Sequence, residues 1–358
     1  MMREDNGNET RYFPDALATG VGSMPHVKAE DACRFVADTL TTAPFWPQLP
    51  KRSFRENMYV QYSEGFPGFQ IDEAEQKMWV DTARMMEGLE AFYEKVLAND
   101  LEAFAISREY AEGLYAMPGM LRPRHPDGPV LYKGQVTGPV SMGLTVTDEN
   151  RRAIIYNEAA EDVVVKTVAM KARWLESHMR GSVPAEKYLM FYDEPYMVSF
   201  GSAYLNMTHE QVVGYLNDCF EGVSCLTGVH CCGNTDWSVI LDTTVDVVNF
   251  DAYEFGVGLT LYDKHLKRFL ARGGILAWGI VPTSEAVRDE NYRTLAGRLE
   301  GLLERLEAKG FDRVEVLRRS MITPSCGTGS LPVELAEEIF TKTVEVSDFI
   351  RERFLREV

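Results

Sequence analysis

The chain has 358 residues, a hydrophobic fraction of 45% and a formal net charge of −17. This composition is typical of a folded globular protein, and its acidic excess argues against a basic face for nucleic acid or an anionic membrane. No apolar run approaches the roughly 20 residues that span a bilayer. The N-terminus lacks the apolar core of a secretory signal, and the 6 cysteines form no small-domain disulfide pattern. We therefore expect a cytoplasmic protein with reduced thiols.

Short β-branched and apolar segments alternate with long amphipathic stretches along the chain. Strands are predicted near residues 17–22, 103–107, 130–137, 188–193, 224–230, 247–251, 275–281 and 320–323. Helices are predicted over residues 72–99, 149–180, 208–220, 284–309 and 331–356. This alternation indicates an α/β fold, a (β/α)8 TIM barrel in which residues 1–358 form a single domain. A doubly wound sheet is the alternative, which periodicity alone does not exclude.

Two stretches depart from this alternation. Residues 1–14 are polar at their start, and we expect them to be flexible. Residues 42–70 begin with a segment rich in proline and aromatic side chains, including Pro44, Trp46 and Pro47. We expect residues 42–70 to form an excursion over the barrel mouth, either a lid or a packed irregular loop.

Four potential metal ligands follow predicted strands. His230 and Cys232 come at the end of one strand, Glu254 follows the next, and Cys326 follows the last. Because the carboxyl ends of parallel barrel strands share one edge, these side chains are expected to meet there. An imidazole, two thiolates and a carboxylate suit zinc, with Glu254 as the ligand most easily displaced. Asp251 lies close by and leaves the identity of the carboxylate ligand open.

The remaining motifs also follow strands. They are Val21-Gly22-Ser23, Thr137-Gly138-Pro139 and Asp193-Glu194-Pro195. Taken singly, the first is a tight turn and the last is a strand end with a helix cap. Together with the zinc ligands, the set resembles the catalytic domain of cobalamin-independent methionine synthase from about Leu17 to the C-terminus. That superfamily also contains uroporphyrinogen decarboxylase and alkylcobamide–thiol methyltransferases.

The resemblance implies a UROD/MetE-like barrel with zinc on His230, Cys232, Glu254 and Cys326. It implies that Gly22 and Ser23 bind the carboxylate of homocysteine and that Asp193 binds its ammonium group. A second carboxylate on the ammonium is also implied, and Glu64 is favoured over Glu73 for that role. The chemistry of these residues agrees with the implied roles. A zwitterionic amino acid needs one anion site and one cation site, and zinc lowers the pKa of a bound thiol.

The departures from that family concern the methyl donor. The synthases carry a proton-donating histidine after the seventh strand, where this chain has residues 279–284 without histidine. Ser199 stands where they have a folate-binding glutamate. The chain is therefore similar to the short "core" methionine synthases. This predicts a methyltransferase in methionine biosynthesis that uses methylcobalamin or a protein-bound methyl-corrinoid instead of methyl-tetrahydrofolate, with a corrinoid protein as candidate partner.

Two other functions stay open. His230-x-Cys232-Gly233 also resembles the motif of alkylcobamide:coenzyme M methyltransferases, in which Asp193 would be dispensable because coenzyme M has no ammonium group. A function of another class is a non-catalytic, zinc-stabilised module that binds a corrinoid protein. A zinc site that changes its coordination when thiol is added would separate catalysis from that structural role.

Overall fold

A computed structural model describes residues 12–201 and 206–356, so most of the predicted flexible stretch at residues 1–14 lies outside the described residues. The strands are β1 (Leu17–Ala18), β2 (Phe69–Asp72), β3 (Lys77–Val80), β4 (Leu131–Thr137), β5 (Lys187–Asp193), β6 (Leu226–Cys231), β7 (Val247–Asp251), β8 (Ile275–Val281) and β9 (Ser320–Pro324). Seven of them form one curled sheet in the order β1-β9-β8-β7-β6-β5-β4, and every pairing in it is parallel.

Helices surround this sheet. They are α1 (Ala29–Thr39), α2 (Met58–Tyr62), α3 (Thr82–Leu97), α4 (Glu112–Leu121), α5 (Pro139–Thr145), α6 (Glu158–Ser182), α7 (His209–Phe220), α8 (Trp237–Leu241), α9 (Ala252–Leu259), α10 (Asp263–Ala271), α11 (Tyr292–Glu307), α12 (Arg313–Arg318) and α13 (Val333–Phe354). A capping box starts α7: the Thr208 side chain accepts a hydrogen bond from Gln211 N, and the Gln211 side chain accepts one from Thr208 N. Within the described residues, no helix combines the length and apolar character that crossing a bilayer requires.

Residues 42–48 occupy the place of the missing eighth strand. On one side, Leu131 N donates to Thr42 O and Lys133 N donates to Pro44 O, which joins the segment to β4. On the other side, Gln48 N donates to Gly22 O. Proline has no N–H to donate, so Pro44 and Pro47 interrupt the ladder and leave isolated bridges instead of a regular strand. The predicted (β/α)8 barrel is therefore confirmed, with an irregular segment in its wall.

Three predicted boundaries were wrong. Residues 103–107 are not a strand, since Leu101–Phe104 forms a 3-10 turn outside the sheet. Residues 42–70 are not wholly an excursion, because residues 42–48 belong to the barrel wall. The predicted helix at 72–99 begins as the antiparallel hairpin of β2 and β3, and α3 starts at Thr82 behind the Asp81 cap.

The barrel interior changes character from one end to the other. Its lower layers are apolar and fully buried, with Leu131, Leu189, Phe191, Val247 and Ile275 packed together. The interior positions nearer the carboxyl ends are polar: Gln135, Asp193, His230, Asn249 and Thr323 are all buried. Buried polar groups cost free energy unless they are bonded or used, so this end is the candidate site.

Candidate active site

Three potential metal ligands converge at the carboxyl ends of the strands. His230 lies on β6, Cys232 follows β6, and Cys326 lies just beyond β9. One donor atom from each lies within 4.8 Å of the others. Two thiolates on a tetrahedral zinc, each about 2.3 Å from the metal, stand about 3.8 Å apart. The residues present therefore fit a zinc ion in both chemistry and spacing.

The orientation of the His230 ring adds to that fit. His230 Nδ1 lies 2.6 Å from Asn249 Oδ1, on the neighbouring strand. The Asn249 amide nitrogen donates to Ala277 O at 2.9 Å, which places its oxygen toward the ring, so Nδ1 carries the hydrogen. His230 Nε2 is buried and has no partner among the described residues. An acceptor nitrogen without a partner beside two thiols is what a soft metal requires.

The thiol of Cys232 is more acidic than those of Cys231 and Cys326, whose pKa values are both raised. The Cys326 thiol beside it, and then His230, lower the pKa of the Cys232 thiol, which favours a thiolate at neutral pH. Cys231 is fully buried, and its Sγ donates to Gly233 O at 3.6 Å. Burial raises the pKa of Cys231 to about 12, so this thiol stays protonated and packs in the wall.

Neither Glu254 nor Asp251 belongs to the group whose ligand atoms lie within 4.8 Å of one another. The chain leaves β7 at Asp251 and enters α9 at Ala252, so Glu254 follows the helical period. Its side chain is exposed and lines a groove between α9 and α11 with Arg298. Asp251 instead shares the strand face of Asn249, is 8% exposed, and accepts a hydrogen bond from Glu254 N at 2.9 Å. Burial, with smaller contributions from the charges of Glu254 and Cys232, raises the pKa of Asp251 to about 6 against the lowering effect of the Glu254 N–H bond.

The turn after β1 lies against the Cys326 loop. Ser23 Oγ accepts a hydrogen bond from Gly329 N at 3.2 Å, and Thr328 N donates to Ser23 O at 3.1 Å. Gly22 has a φ of +155°, and a Cβ there would lie 2.7 Å from the Gln135 side chain. Only glycine lets the backbone come this close to Gln135. The turn therefore lies between Gln135 and the loop that carries Cys326.

The two carboxylates of the Asp-Glu-Pro segment, Asp193 and Glu194, have different surroundings. Glu194 is buried and accepts hydrogen bonds from Val140 N at 2.9 Å, Ser141 N at 2.8 Å and Ser141 Oγ at 2.6 Å, so it caps the start of α5. Asp193 is 7% exposed, and its Oδ1 is buried without a partner among the described residues. Burial raises the pKa of Asp193 to about 6, against the lowering effect of His230 and Lys133. Asp193 therefore offers a free carboxylate oxygen to a cation.

Glu64 Oε2 accepts a hydrogen bond from Ser107 N at 2.8 Å. Of the excursion, α2 comes near Asp193: burial raises the pKa of both Tyr59 and Tyr62, and the Asp193 charge adds to it, as the second cause for Tyr62 and a smaller one for Tyr59. The role of Glu64 in binding an ammonium group stays a prediction.

Sequence reasoning missed the interior polar residues of the strands. Asn249, Gln135 and Lys133 sit inside otherwise apolar strand segments, and Lys133 is fully buried. The sequence pattern that could have identified them is alternation: Lys133, Gln135 and Thr137 occupy every second position of β4, and Asn249 and Asp251 do so in β7. Residues at alternate positions share one face of a strand. Polar side chains at alternate positions near a strand's carboxyl end point to the barrel lumen.

Comparisons with known proteins give a fold but no family. No family model matches the sequence, and no curated protein matches it. A putative vitamin-B12-independent methionine synthase from Listeria monocytogenes superposes with a TM-score of 0.59 at 12% identity, over 96% of this chain and 99% of that one. A methyltransferase from Methanosarcina mazei superposes with a TM-score of 0.52 at 13% identity, over 95% of each chain.

A third structure is similar over a shorter span. It is a B12-independent methionine synthase from Shewanella sp. W3-18-1 in complex with selenomethionine, with 17% identity, 66% of each chain covered and a TM-score of 0.46. At these identities the two longer superpositions carry the barrel fold, and the chemistry has to be argued from the residues of this chain.

Proposed function

We propose that this chain is a zinc-dependent thiol methyltransferase that converts homocysteine to methionine with a methylated corrinoid as donor. One observation carries the proposal. The donor atoms of His230, Cys232 and Cys326 lie within 4.8 Å of one another, beside an Asp193 carboxylate oxygen that has no partner among the described residues. A metal group that suits a thiol and a buried site that suits an ammonium ion are the two halves of a thiol amino acid site.

The metal ligands are proposed to be His230, Cys232 and Cys326, with Asp251 in the place expected for Glu254. Asp251 is preferred because it lies on the lumen-facing side of β7 and because the charge of Cys232 contributes to its raised pKa. When bound there, zinc would lower the pKa of an incoming thiol, so that a thiolate forms at neutral pH. A carboxylate is the hardest of these ligands, so Asp251 is the one that yields most easily to sulfur.

The amino acid end is proposed to lie between Asp193 and the turn at Gly22 and Ser23. Asp193 binds the ammonium group through Oδ1, and the backbone N–H groups of the turn face the carboxylate. Because Ser23 is bonded to the Cys326 loop, the turn and the thiol site keep a fixed separation. Orientation of the sulfur toward the methyl donor then lowers the entropic part of the barrier.

The choice of donor follows from the absence of an acid at the end of β8. In the described part of the chain this place is taken by Thr283, whose N–H and Oγ bond to Ser325 Oγ at 3.1 and 2.9 Å. Hydroxyl groups do not protonate a pterin leaving group at neutral pH. A methylated corrinoid needs no such acid, because the bonding pair leaves with the corrinoid as the new sulfur–carbon bond forms.

The test is anaerobic spectroscopy of the zinc-loaded protein with methylcobalamin and homocysteine. We expect loss of the methylcobalamin spectrum that depends on homocysteine, with methionine formed. Cys232→Ser and Cys326→Ser should lose both zinc and turnover. Cys231→Ser is the matched control, since this neighbouring thiol packs in the wall, and it should keep both. Full turnover in Cys232→Ser and Cys326→Ser would refute the proposal.

Parallel cuvettes separate the alternatives. Turnover with coenzyme M but not with homocysteine would replace the proposed acceptor. Zinc binding without any change in coordination on addition of thiol would replace catalysis with a structural metal site. Turnover with a methylated corrinoid protein but not with free methylcobalamin would retain the reaction and assign its donor.

A further inference from the structure

A lysine is buried beneath the turn that is proposed to bind the substrate carboxylate. Lys133 lies on β4 and is 0% exposed. Its Nζ donates to Val21 O and, at 3.1 Å, to Gln135 Oε1. The same nitrogen lies 4.4 Å from the centroid of the Phe191 ring. Within the described residues Lys133 makes no salt bridge, so its charge is balanced only at longer range.

The longer-range partner is Asp193. Strand register pairs Thr137 with Asp193 and Lys133 with Leu189, so the backbone of Lys133 lies nearer the amino end of its strand than the level of Asp193. Its side chain extends from there to Val21 O, which accepts its hydrogen bond. Burial lowers the pKa of Lys133 to about 7, and the Asp193 charge opposes that effect. The amino acid end of the site thus contains one buried cation and one buried anion, since Glu194 is turned toward α5.

The hydrogen bond from Lys133 acts on the turn itself. It ends on Val21 O, which belongs to the same peptide group as Gly22 N. A charged donor on a carbonyl polarises the peptide and makes its N–H a stronger donor. No described residue accepts a hydrogen bond from Gly22 N or Ser23 N. These two N–H groups are therefore available to an anion, with a cation behind them.

We propose that Lys133 is a positioning residue that makes the turn at Gly22 and Ser23 a carboxylate site. Lys133 and Asp193 together restrict the acceptor to thiols with a zwitterionic amino acid end. Such a thiol brings an opposite charge to each of the two buried ions. A sulfonate thiol without an ammonium group leaves Asp193 uncompensated, which is costly in a buried site. This inference rests on the proposed function and deepens it by naming a buried residue that determines which thiols bind.

The experiment measures thiol binding directly, without methyl transfer. Cobalt(II)-loaded protein is titrated with homocysteine, with 4-mercaptobutyrate, which lacks the ammonium group, with 3-aminopropanethiol, which lacks the carboxylate, and with coenzyme M. Binding is followed by the thiolate-to-cobalt absorption. We expect Lys133→Gln to weaken the two carboxylate thiols by roughly 10- to 100-fold, as loss of a charge-assisted contact does. Affinity for 3-aminopropanethiol should stay unchanged.

Lys171→Gln is the matched control. Lys171 is also a fully buried lysine whose Nζ donates to a backbone carbonyl, Phe104 O at 3.5 Å, but it lies outside the barrel lumen. It should leave all four affinities unchanged. Equal weakening of all four thiols by Lys133→Gln, or weakening of none, would overturn the inference.

The failures of the two proposals are distinguishable. A wild-type protein that shows no thiol-dependent spectrum, or that prefers coenzyme M to homocysteine, contradicts the proposed function. A wild-type preference for homocysteine that survives in Lys133→Gln contradicts the role of Lys133 alone. Should Lys133→Gln not fold, the wild-type titration still decides: equal affinity for homocysteine and 3-aminopropanethiol overturns the carboxylate site.

Discussion

Asn249 holds the His230 ring in one tautomer. Its Oδ1 lies 2.6 Å from His230 Nδ1, while its amide nitrogen donates to Ala277 O at 2.9 Å and to Thr323 Oγ1 at 2.8 Å. Both residues are buried, so no solvent competes for these bonds. The ring is thereby fixed with Nε2 toward Cys232 and Cys326, which is the arrangement of a ligand histidine with its supporting partner.

Replacing that support should weaken metal binding. We expect Asn249→Leu to lower zinc affinity by roughly 10- to 100-fold, because Nδ1 loses its acceptor and the ring is free to change tautomer and rotate. The measurement is competition with a chromophoric chelator on the folded protein. Asn249→Asp retains an acceptor for Nδ1 and should bind zinc more tightly than Asn249→Leu. Wild-type affinity in Asn249→Leu would show that the bond has no such role.

The carboxylate ligand is tested by a pair of isosteric variants. Asp251→Asn should lower zinc affinity and remove the change in coordination on addition of thiol, because the site then lacks the carboxylate proposed as its fourth ligand. Glu254→Gln should change neither, since its side chain is exposed beside Arg298. Zinc affinity and X-ray absorption of both variants provide the measurement. A loss confined to Glu254→Gln would restore the ligand set expected from the sequence.

The apolar runs of the sequence were sufficient for most of the barrel. Seven predicted strands match observed ones because each is a short apolar segment buried on both faces, which is distinctive of parallel sheets. The eighth position failed for a physical reason. Pro44 and Pro47 make residues 42–48 look like a loop, yet the carbonyls of Thr42 and Pro44 accept hydrogen bonds from β4, and Gln48 N donates to Gly22 O beyond β1.

The site shows a similar division. The spacing of His230, Cys232 and Cys326 placed three ligands at strand ends, where the structure brings them together. The strand ends at Asp251 and a helix begins one residue later, so the spacing from Cys232 to Glu254 does not by itself decide between these two carboxylates. Lys133 was missed since lysine in a sequence suggests an exposed side chain, and only the closed barrel shows that it is buried.

The close approach of Gly22 to Gln135 predicts a specific steric effect. Gly22→Ala places a Cβ 2.7 Å from the Gln135 side chain, so the turn or Gln135 must shift, at a cost of about 1–3 kcal/mol. The free energy of unfolding in urea and the affinity of the cobalt protein for thiols should both decrease. Gly181→Ala on α6 is the control: a Cβ there meets nothing within 4 Å, and a helical alanine should raise stability by ~0.5–1 kcal/mol. Equal stabilities of the two variants would contradict the crowding argument.

Glu56 predicts a pH dependence of stability. Its side chain is fully buried, accepts a hydrogen bond from Leu49 N at 3.0 Å and pairs with Arg52 at 2.6 Å. Burial raises the pKa of Glu56 from 4.5 to about 7, against the lowering effect of these partners. A carboxyl whose pKa is raised on folding binds protons more tightly in the folded state. Its contribution to stability is therefore fully present below about pH 4.5 and is lost as the pH rises through about 7.

Comparison of wild type with Glu56→Gln isolates this contribution, because the other buried carboxyls titrate in both proteins. We expect the free energy of unfolding of wild type, relative to Glu56→Gln, to fall between about pH 4.5 and about pH 7 and to level off at higher pH. A pKa shift of this size corresponds to a change in the free energy of unfolding on the order of 3 kcal/mol. Urea denaturation at a series of pH values measures it. A difference between the two proteins that is constant across this range would mean that Glu56 titrates normally in the folded chain. A difference that rises with pH would mean that Arg52 and Leu49 N outweigh burial and hold the carboxylate ionised.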